Sequence, residues 1–213
     1  MEFILFWFQI VMAFCFNVPL IVNILSGRTD GLNLATFAIF SFYFIIGFSL
    51  ALGAFREYPS ALRKQTLIVF GVHIGMVLLD FGAGLSAIAW QKSDSIFTAF
   101  VFLMTLITVF SYRGFKDPFA RGWVSVWCKA FPQLWLAFTM LSNSSEESGI
   151  SGISIAAGHM TATPRLFQVY LSGRNEGWDR PTSGLIIGEI SNVVTWWVVT
   201  ILWFYLKFNS VQG

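Results

Sequence analysis

Long apolar stretches separated by short polar segments dominate this chain. A helix needs about 20 apolar residues to cross the hydrocarbon core of a bilayer. Seven stretches of about that length lie at 3–25, 33–54, 66–90, 96–112, 122–142, 150–171 and 184–206. The pattern therefore predicts an all-α integral membrane protein, a bundle of seven transmembrane helices joined by short connections.

Composition supports this fold class and narrows the function. Of the 213 residues, 56% are hydrophobic and 11% are charged, whereas about 25% of a soluble domain is charged. The short connections leave no room for a soluble catalytic domain, and the sequence has no nucleophile, paired acid or metal-ligand pattern. We therefore expect neither an enzyme nor a bound cofactor.

The same features limit the expected partners. The chain has no basic run interleaved with aromatic residues, the pattern typical of nucleic-acid binding. The expected partners are the lipid bilayer and a small-molecule solute, with copies of the chain or other membrane subunits as further candidates.

Basic residues are distributed unequally between the two faces of a seven-helix protein. Lys129 and Arg165 lie inside predicted helices and are left out of the comparison. The face with the N-terminus carries eight basic residues and the other carries three: Arg56, Arg63, Lys64, Arg113, Lys116, Arg121, Arg174 and Arg180 against Arg28, Lys92 and Lys207. The positive-inside rule predicts a cytoplasmic N-terminus.

Two segments of the chain resemble each other. Leu-Ser-Gly-Arg occurs at 25–28 and at 171–174, and each copy follows a proline, Pro19 or Pro164. One interpretation is shared helix-end chemistry, because Ser-Gly suits a C-terminal cap and Arg complements the helix dipole. The other is an internal duplication, which is common in small transporters.

Three prolines fall inside predicted helices: Pro19, Pro132 and Pro164. A proline within a helix removes one backbone hydrogen bond and bends the helix. Bundle interiors and cavities tolerate such bends. We therefore predict that these three prolines act as hinges.

The segments around two of these prolines resemble a known family. Pro132-Gln133, with a Ser-rich turn and Gly-Ile-Ser after it, resembles the PQ-loop motif. Asn17-Val18-Pro19 resembles its degenerate partner, although Leu20 replaces the glutamine. Residues 157–167 and 184–192 are similar to the sixth and seventh helices of PQ-loop proteins, which include the SWEET sugar transporters.

The resemblance implies a 3+1+3 arrangement of two parallel three-helix units. The first unit would span 1–90, a linker helix 91–121, and the second unit 122–213. Family members usually place the N-terminus away from the cytosol, opposite to the orientation that the charges predict. The repeated Leu-Ser-Gly-Arg segments also pair the first helix with the sixth, whereas the family plan pairs the first with the fifth.

Four ionisable residues lie in the middle of predicted helices: Asp80, Lys129, Arg165 and Glu189. Such groups are expensive in a membrane and usually face a partner or a water-filled cavity. They could form two buried ion pairs that fix the helix register. Alternatively, they could line a polar cavity in which one carboxylate takes a proton or contacts the substrate.

The resemblance favours a cavity, because in the family the third helix of each unit lines the central site, and Asp80 and Glu189 lie on those helices. His73 lies two helical turns before Asp80 on the same face. It could be a packing residue or relay protons. We predict proton-relay roles for Asp80, Glu189 and His73.

Six residues are predicted to bind substrate: Asp80, Arg165, Glu189, Asn192, Asn17 and Trp196. Asn192 resembles the sugar-binding asparagine of the seventh SWEET helix, but the third helix has no matching asparagine. A zwitterion such as an amino acid, with Asp80 and Arg165 supplying opposite charges, is therefore preferred over a neutral sugar. Trp196 lies too deep for an interfacial aromatic belt.

The function predicted from these features is transport of a small polar solute by alternating access. The alternative is a membrane receptor or an accessory subunit of a larger complex, suggested by the large apolar surface that 24 phenylalanines provide.

Overall fold

The computed structural model of the protein describes residues 2–57, 59–112, 117–142 and 150–210. These residues form seven helices and no strand, as predicted. Six are α1 (Glu2–Leu25), α2 (Leu34–Glu57), α3 (Ala61–Ala87), α4 (Lys92–Ser111), α6 (Gly152–Glu176) and α7 (Arg180–Ser210). The remaining helix, α5, consists of Pro118–Ser125, a π-helical turn at Val126–Ala130, and Phe131–Ser142. Arg113 and Lys116, counted above for orientation, lie outside the described residues.

Five of the helices in the described ranges, α1, α2, α3, α4 and α7, are long and apolar enough to cross a membrane. The chain is therefore a multi-pass membrane protein. The other two differ for physical reasons. The π turn interrupts α5, and α6 carries buried polar side chains such as Ser154, Arg165 and Gln168, which lowers its mean hydropathy.

Capping residues set the start of several helices. Ser60 and Ser151 cap α3 and α6, accepting hydrogen bonds from the backbone N–H of Arg63 and Ser154. Asp117 caps α5 by accepting the backbone N–H of Phe119 at 2.9 Å. This bond, with a second contribution from Arg180, lowers the pKa of Asp117 below its ordinary value.

The two Leu-Ser-Gly-Arg segments have different structures. The first copy ends α1 at Leu25, with Gly27 at a positive φ of 78°. The second copy remains helical, because α6 continues to Glu176 and Gly177 adopts the positive φ, 98°. Gly173 of that copy packs against Trp178, where a Cβ would come within 2.7 Å of the indole. The two copies therefore do not share a helix-end role.

Side-chain contacts establish the helix directions. Gln9, early in α1, meets Gln168, late in α6, and Phe16 meets Ser154 at the start of α6. Side-chain contacts of the same kind show that α2 runs antiparallel to α5 and that α7 runs parallel to α5. The first residues of α1, α3, α5 and α7 therefore gather at one end of the bundle. We call this the basic end, and the opposite one the far end.

The helices pack as a ring with one helix outside it. In the described part of the chain, α3 packs against both α1 and α2, and α7 packs against both α5 and α6. The ring closes through α1 against α6 and α2 against α5, while α4 packs on α2 and α5. Six helices therefore surround a common interior.

The interior near the far end is filled by apolar side chains, which we call the far-end cluster. Its buried members come from five of the ring helices and their connections: Leu20, Ile24, Leu32, Leu34, Phe37, Leu136, Ala137, Met140, Ile150, Ile155, Ala162, Trp196 and Val199. At this end α5 also supports the turn before α2, since Thr139 donates to the Gly31 carbonyl at 2.7 Å. Several members of this cluster, including Leu20, Leu32 and Ile150, also line the ring interior.

Candidate functional site

A cavity of about 200 Å³ lies inside the ring, lined by α1, α2, α3, α5, α6 and α7. A single water molecule needs only about 10–15 Å³, so the cavity can hold a small solute or several waters. The substrate-binding and proton-relay residues predicted from the sequence all line it: Asn17, His73, Asp80, Arg165, Glu189, Asn192 and Trp196.

Three of the mid-helix charges form one group, which we call the charged cluster: Lys129, Arg165 and Glu189. Lys129 Nζ lies 3.3 Å from one carboxylate oxygen of Glu189, and Arg165 Nε lies 3.9 Å from the other. Asp80 makes no ion pair with any described residue. The expected alternative of two separate ion pairs is therefore wrong, since both cations share one carboxylate.

The π turn of α5 positions Lys129. Across this turn the backbone N–H of Phe131 bonds to the carbonyl of Val126, five residues earlier. Pro132 follows directly, and its ring cannot approach the carbonyl four residues before it in a regular α-helix. Single π turns of this kind often occur at functional sites. Here the π turn carries Lys129 and the residue next to it in the chain, buried Cys128.

Hydrogen bonds to neutral groups hold Arg165 in place. Its two terminal nitrogens donate to Gln168 Oε1 at 2.7 Å and to Thr66 Oγ1 at 2.6 Å. Gln168 also accepts from Gln9 at 3.1 Å and donates to Gln65. This network joins α6 to α1 and α3, and through Arg165 it reaches Glu189 on α7.

A second group, which we call the amide cluster, comprises Gln133, Asn192 and Thr195. Gln133 Nε2 donates to Asn192 Oδ1 at 2.8 Å, and the Thr195 hydroxyl donates to Gln133 Oε1. All three residues are buried. The glutamine of the Pro-Gln pair therefore contacts the asparagine that the sequence singled out.

Asp80 occupies the far-end half of the cavity. It is 2% exposed, and its Oδ1 has no hydrogen-bond partner among the described residues. Fourteen residues of α3 separate it from Thr66, which is about 21 Å at 1.5 Å per residue. Because Arg165 bonds to Thr66, the two charges lie at different depths, and a small zwitterion such as an α-amino acid is too short to contact both.

His73 lies midway between these two depths. It is seven residues from Thr66 and seven from Asp80, so all three share one face of α3. Its Nδ1 lies 2.8 Å from the Val69 carbonyl, and its ring stacks on Phe44. Nε2 is the ring nitrogen that this hydrogen bond leaves available.

Asn17 and Trp196 line the far-end half of the cavity. Asn17 donates to the Ala13 carbonyl of its own helix at 2.6 Å. Trp196 packs edge-on against Phe16 with ring centroids 5.4 Å apart, and a Cβ on Gly158 would come within 2.7 Å of its indole. Trp196 belongs to the far-end cluster as well as to the cavity wall.

The predicted hinges lie at distinct points of the ring. Pro19 and Pro164 are inside α1 and α6, and both helices continue through them. Pro132 is buried at the start of the last segment of α5. Their role as hinges stays a prediction.

Several polar residues at the cavity were not assigned to the site from the sequence. Gln9, Gln133 and Lys129 are examples, and Tyr43 donates to Ser125 at 2.9 Å in the cavity wall. The sequence could have indicated these residues, because amide side chains and a lysine are uncommon within apolar helices. Among the described residues, no three His, Cys, Asp or Glu side chains come together as a metal site would require.

Comparison with protein-family models, with curated proteins and with solved structures gave no match to this chain.

Proposed function

We propose that this chain is a transporter or facilitator of a small polar solute that works by alternating access, built on a PQ-loop-like 3+1+3 plan. The two units would be 1–90 and 122–213, with 91–121 as the linker helix. The observation that carries the proposal is a cavity inside a ring of six helices, with charged and amide side chains from both units in its wall.

The helix order supports the two-unit plan. In each proposed unit the third helix packs between the first and the second, as α3 does between α1 and α2, and α7 between α5 and α6. Two units with the same internal order are what a duplicated transporter requires. The linker helix α4 packs outside the ring on α2 and α5, where it would connect the units without blocking the cavity.

The burial of the cavity wall supports access from one side. At the far end the lining residues Leu20, Leu32 and Ile150 are buried. At the basic end the lining residues Leu50 and Arg121 are only half-buried. Alternating access requires a state that is more enclosed at one end than at the other, and this arrangement fits such a state.

Proteoliposome uptake tests the proposal. Purified protein is reconstituted and assayed with labelled sugars, amino acids and small organic anions, against protein-free liposomes. We expect at least one solute to enter faster with protein, and Asn192→Ala to lower that uptake about tenfold, because it removes a buried hydrogen-bonding group from the cavity.

Asn175→Ala is the matched control, since Asn175 is exposed at the end of α6. Its uptake should equal that of the unaltered protein. If no solute in the panel enters faster than in protein-free liposomes, the transport proposal fails, and a receptor or accessory-subunit role becomes the better explanation.

A further inference from the structure

The charged cluster contains more positive than negative charge. Lys129 and Arg165 each carry a positive charge at neutral pH, and Glu189 supplies one negative charge between them. The side chains of these three residues are 8–16% exposed. Excess charge is costly in such a place unless a counter-ion is near.

No other described side chain near the cluster supplies that counter-ion. Tyr43 on α2 and His73 on α3 are the other titratable groups that face it, and neither is an anion at neutral pH by its ordinary chemistry. Asp80 makes no ion pair with any described residue, and it lies fourteen residues along α3 from Thr66, which binds Arg165. Because Coulomb energy falls with distance, an anion in direct contact with Lys129 would compensate the cluster better than Asp80 does.

Glu189 also holds its two cations loosely. The Lys129–Glu189 distance of 3.3 Å exceeds the about 2.7–2.9 Å of a tight charge-assisted hydrogen bond. Arg165 Nε, at 3.9 Å, is beyond hydrogen-bond distance of Glu189. Arg165 uses its terminal nitrogens on Gln168 and Thr66, whereas Lys129 has three donors and contacts Glu189 with one. The Lys129 ammonium is therefore the group best able to accept a further anionic ligand.

We propose that the charged cluster is the binding site for a small monoanion bearing a carboxylate, with Lys129 as its main contact. This inference rests on the proposed transport function and names the class of solute. The ligand carboxylate neutralises the cluster, and its polar body lies beside the amide cluster. Gln133 lies one helical turn after Lys129, and Asn192 lies three residues after Glu189, so both amides adjoin the site.

Two matched pairs of solutes test the charge requirement. Glycerate and serine differ in a hydroxyl replaced by an ammonium group, and gluconate and sorbitol differ in a carboxylate that replaces a terminal CH2OH group. In proteoliposomes at neutral pH, we expect glycerate or gluconate to enter about tenfold faster than its partner, because only the anion balances the cluster. Faster entry of serine or sorbitol would overturn the proposal.

Variants of Lys129 test its role. Lys129→Gln should lower anion uptake about tenfold or more, whereas Lys129→Arg, which keeps the charge, should stay within about threefold of the unaltered protein. Lys92→Gln is the matched control, because Lys92 is exposed at the start of α4. Unchanged anion uptake by a folded Lys129→Gln protein would contradict the assignment.

Ligand-induced thermal stabilisation in detergent separates this inference from the transport proposal. Gluconate or glycerate should raise the melting temperature of the unaltered protein but not that of Lys129→Gln. If the anions stabilise the protein but do not cross the liposome membrane, the anion site stands and transport fails. If neither anion stabilises the protein, the anion site is wrong, even if another solute is transported.

Discussion

At the residue scale, Glu189 is the residue on which the site depends most. Among the described carboxylates it alone contacts both Lys129 and Arg165, and its side chain is 10% exposed. Removing one partner of a buried ion pair leaves the other charge without compensation, which costs far more than the pair itself contributes. In this cluster two cations would lose their counter-ion at once.

We predict that Glu189→Gln lowers the free energy of unfolding by about 3–5 kcal/mol. Unfolding in mixed micelles measures this change. Adding Lys129→Gln to the variant should recover part of the loss, because the double variant leaves one buried cation in place of two. Glu176→Gln, at the exposed end of α6, is the control. Equal stability of the Glu189→Gln and Glu176→Gln proteins would contradict the prediction.

At the element scale, close packing of α5 and α7 brings the charged cluster together. A Cβ on Gly188 would lie 2.7 Å from Ser125 Oγ. Ser125 has little freedom to move, because its hydroxyl accepts a hydrogen bond from Tyr43 at 2.9 Å. Gly188 directly precedes Glu189, and Ser125 lies one turn before Lys129, so this contact sets the distance between the two charges.

We predict opposite effects for two glycine-to-alanine substitutions. Gly188→Ala should destabilise the protein by about 1–3 kcal/mol, because the added methyl overpacks the α5–α7 contact. Gly82→Ala, where a Cβ meets no atom within 4 Å, should stabilise α3 by about 0.5–1 kcal/mol through its helix propensity. Melting temperatures of both variants measure this, and a rise for Gly188→Ala would contradict the packing argument.

At the scale of the whole molecule, an ion pair joins the two proposed units at the basic end. Arg63, at the start of α3, contacts Asp179, just before α7, at 3.3 Å. Both side chains are partly exposed, so the pair itself contributes at most about 1 kcal/mol. The position of the pair is more informative than its energy, because rocking of one unit against the other would change the distance between Arg63 and Asp179.

We predict that a covalent link at this position stops transport. With Cys15 first replaced by Ser, Arg63→Cys and Asp179→Cys are joined by a short bismaleimide, which holds the basic end at one separation. Uptake should fall to the protein-free level only in the double-cysteine protein, and each single-cysteine variant treated with the same reagent is the control. Normal uptake by fully cross-linked protein would exclude rocking at this end.

The sequence by itself determined the helical segments and some of the residues that line the cavity. Seven apolar stretches predicted seven helices, and mid-helix polar residues such as Asp80 and Glu189 marked the interior. These features are local: hydrophobicity and helix length decide where a span lies, and a buried charge must face a polar space. The extension of α6 to Glu176 was not predicted, because Leu-Ser-Gly-Arg looks like a helix end in isolation.

Only the tertiary structure decided which charges pair. Lys129 and Arg165 share Glu189 because α5, α6 and α7 place them at one depth and rotation, whereas Asp80 lies about 21 Å from Thr66 along α3. Pairing depends on how far each helix slides and turns against its neighbours. Side-chain periodicity within one helix carries no information about these movements, so the sequence could not test whether Asp80 and Arg165 lie close enough to bind one zwitterion.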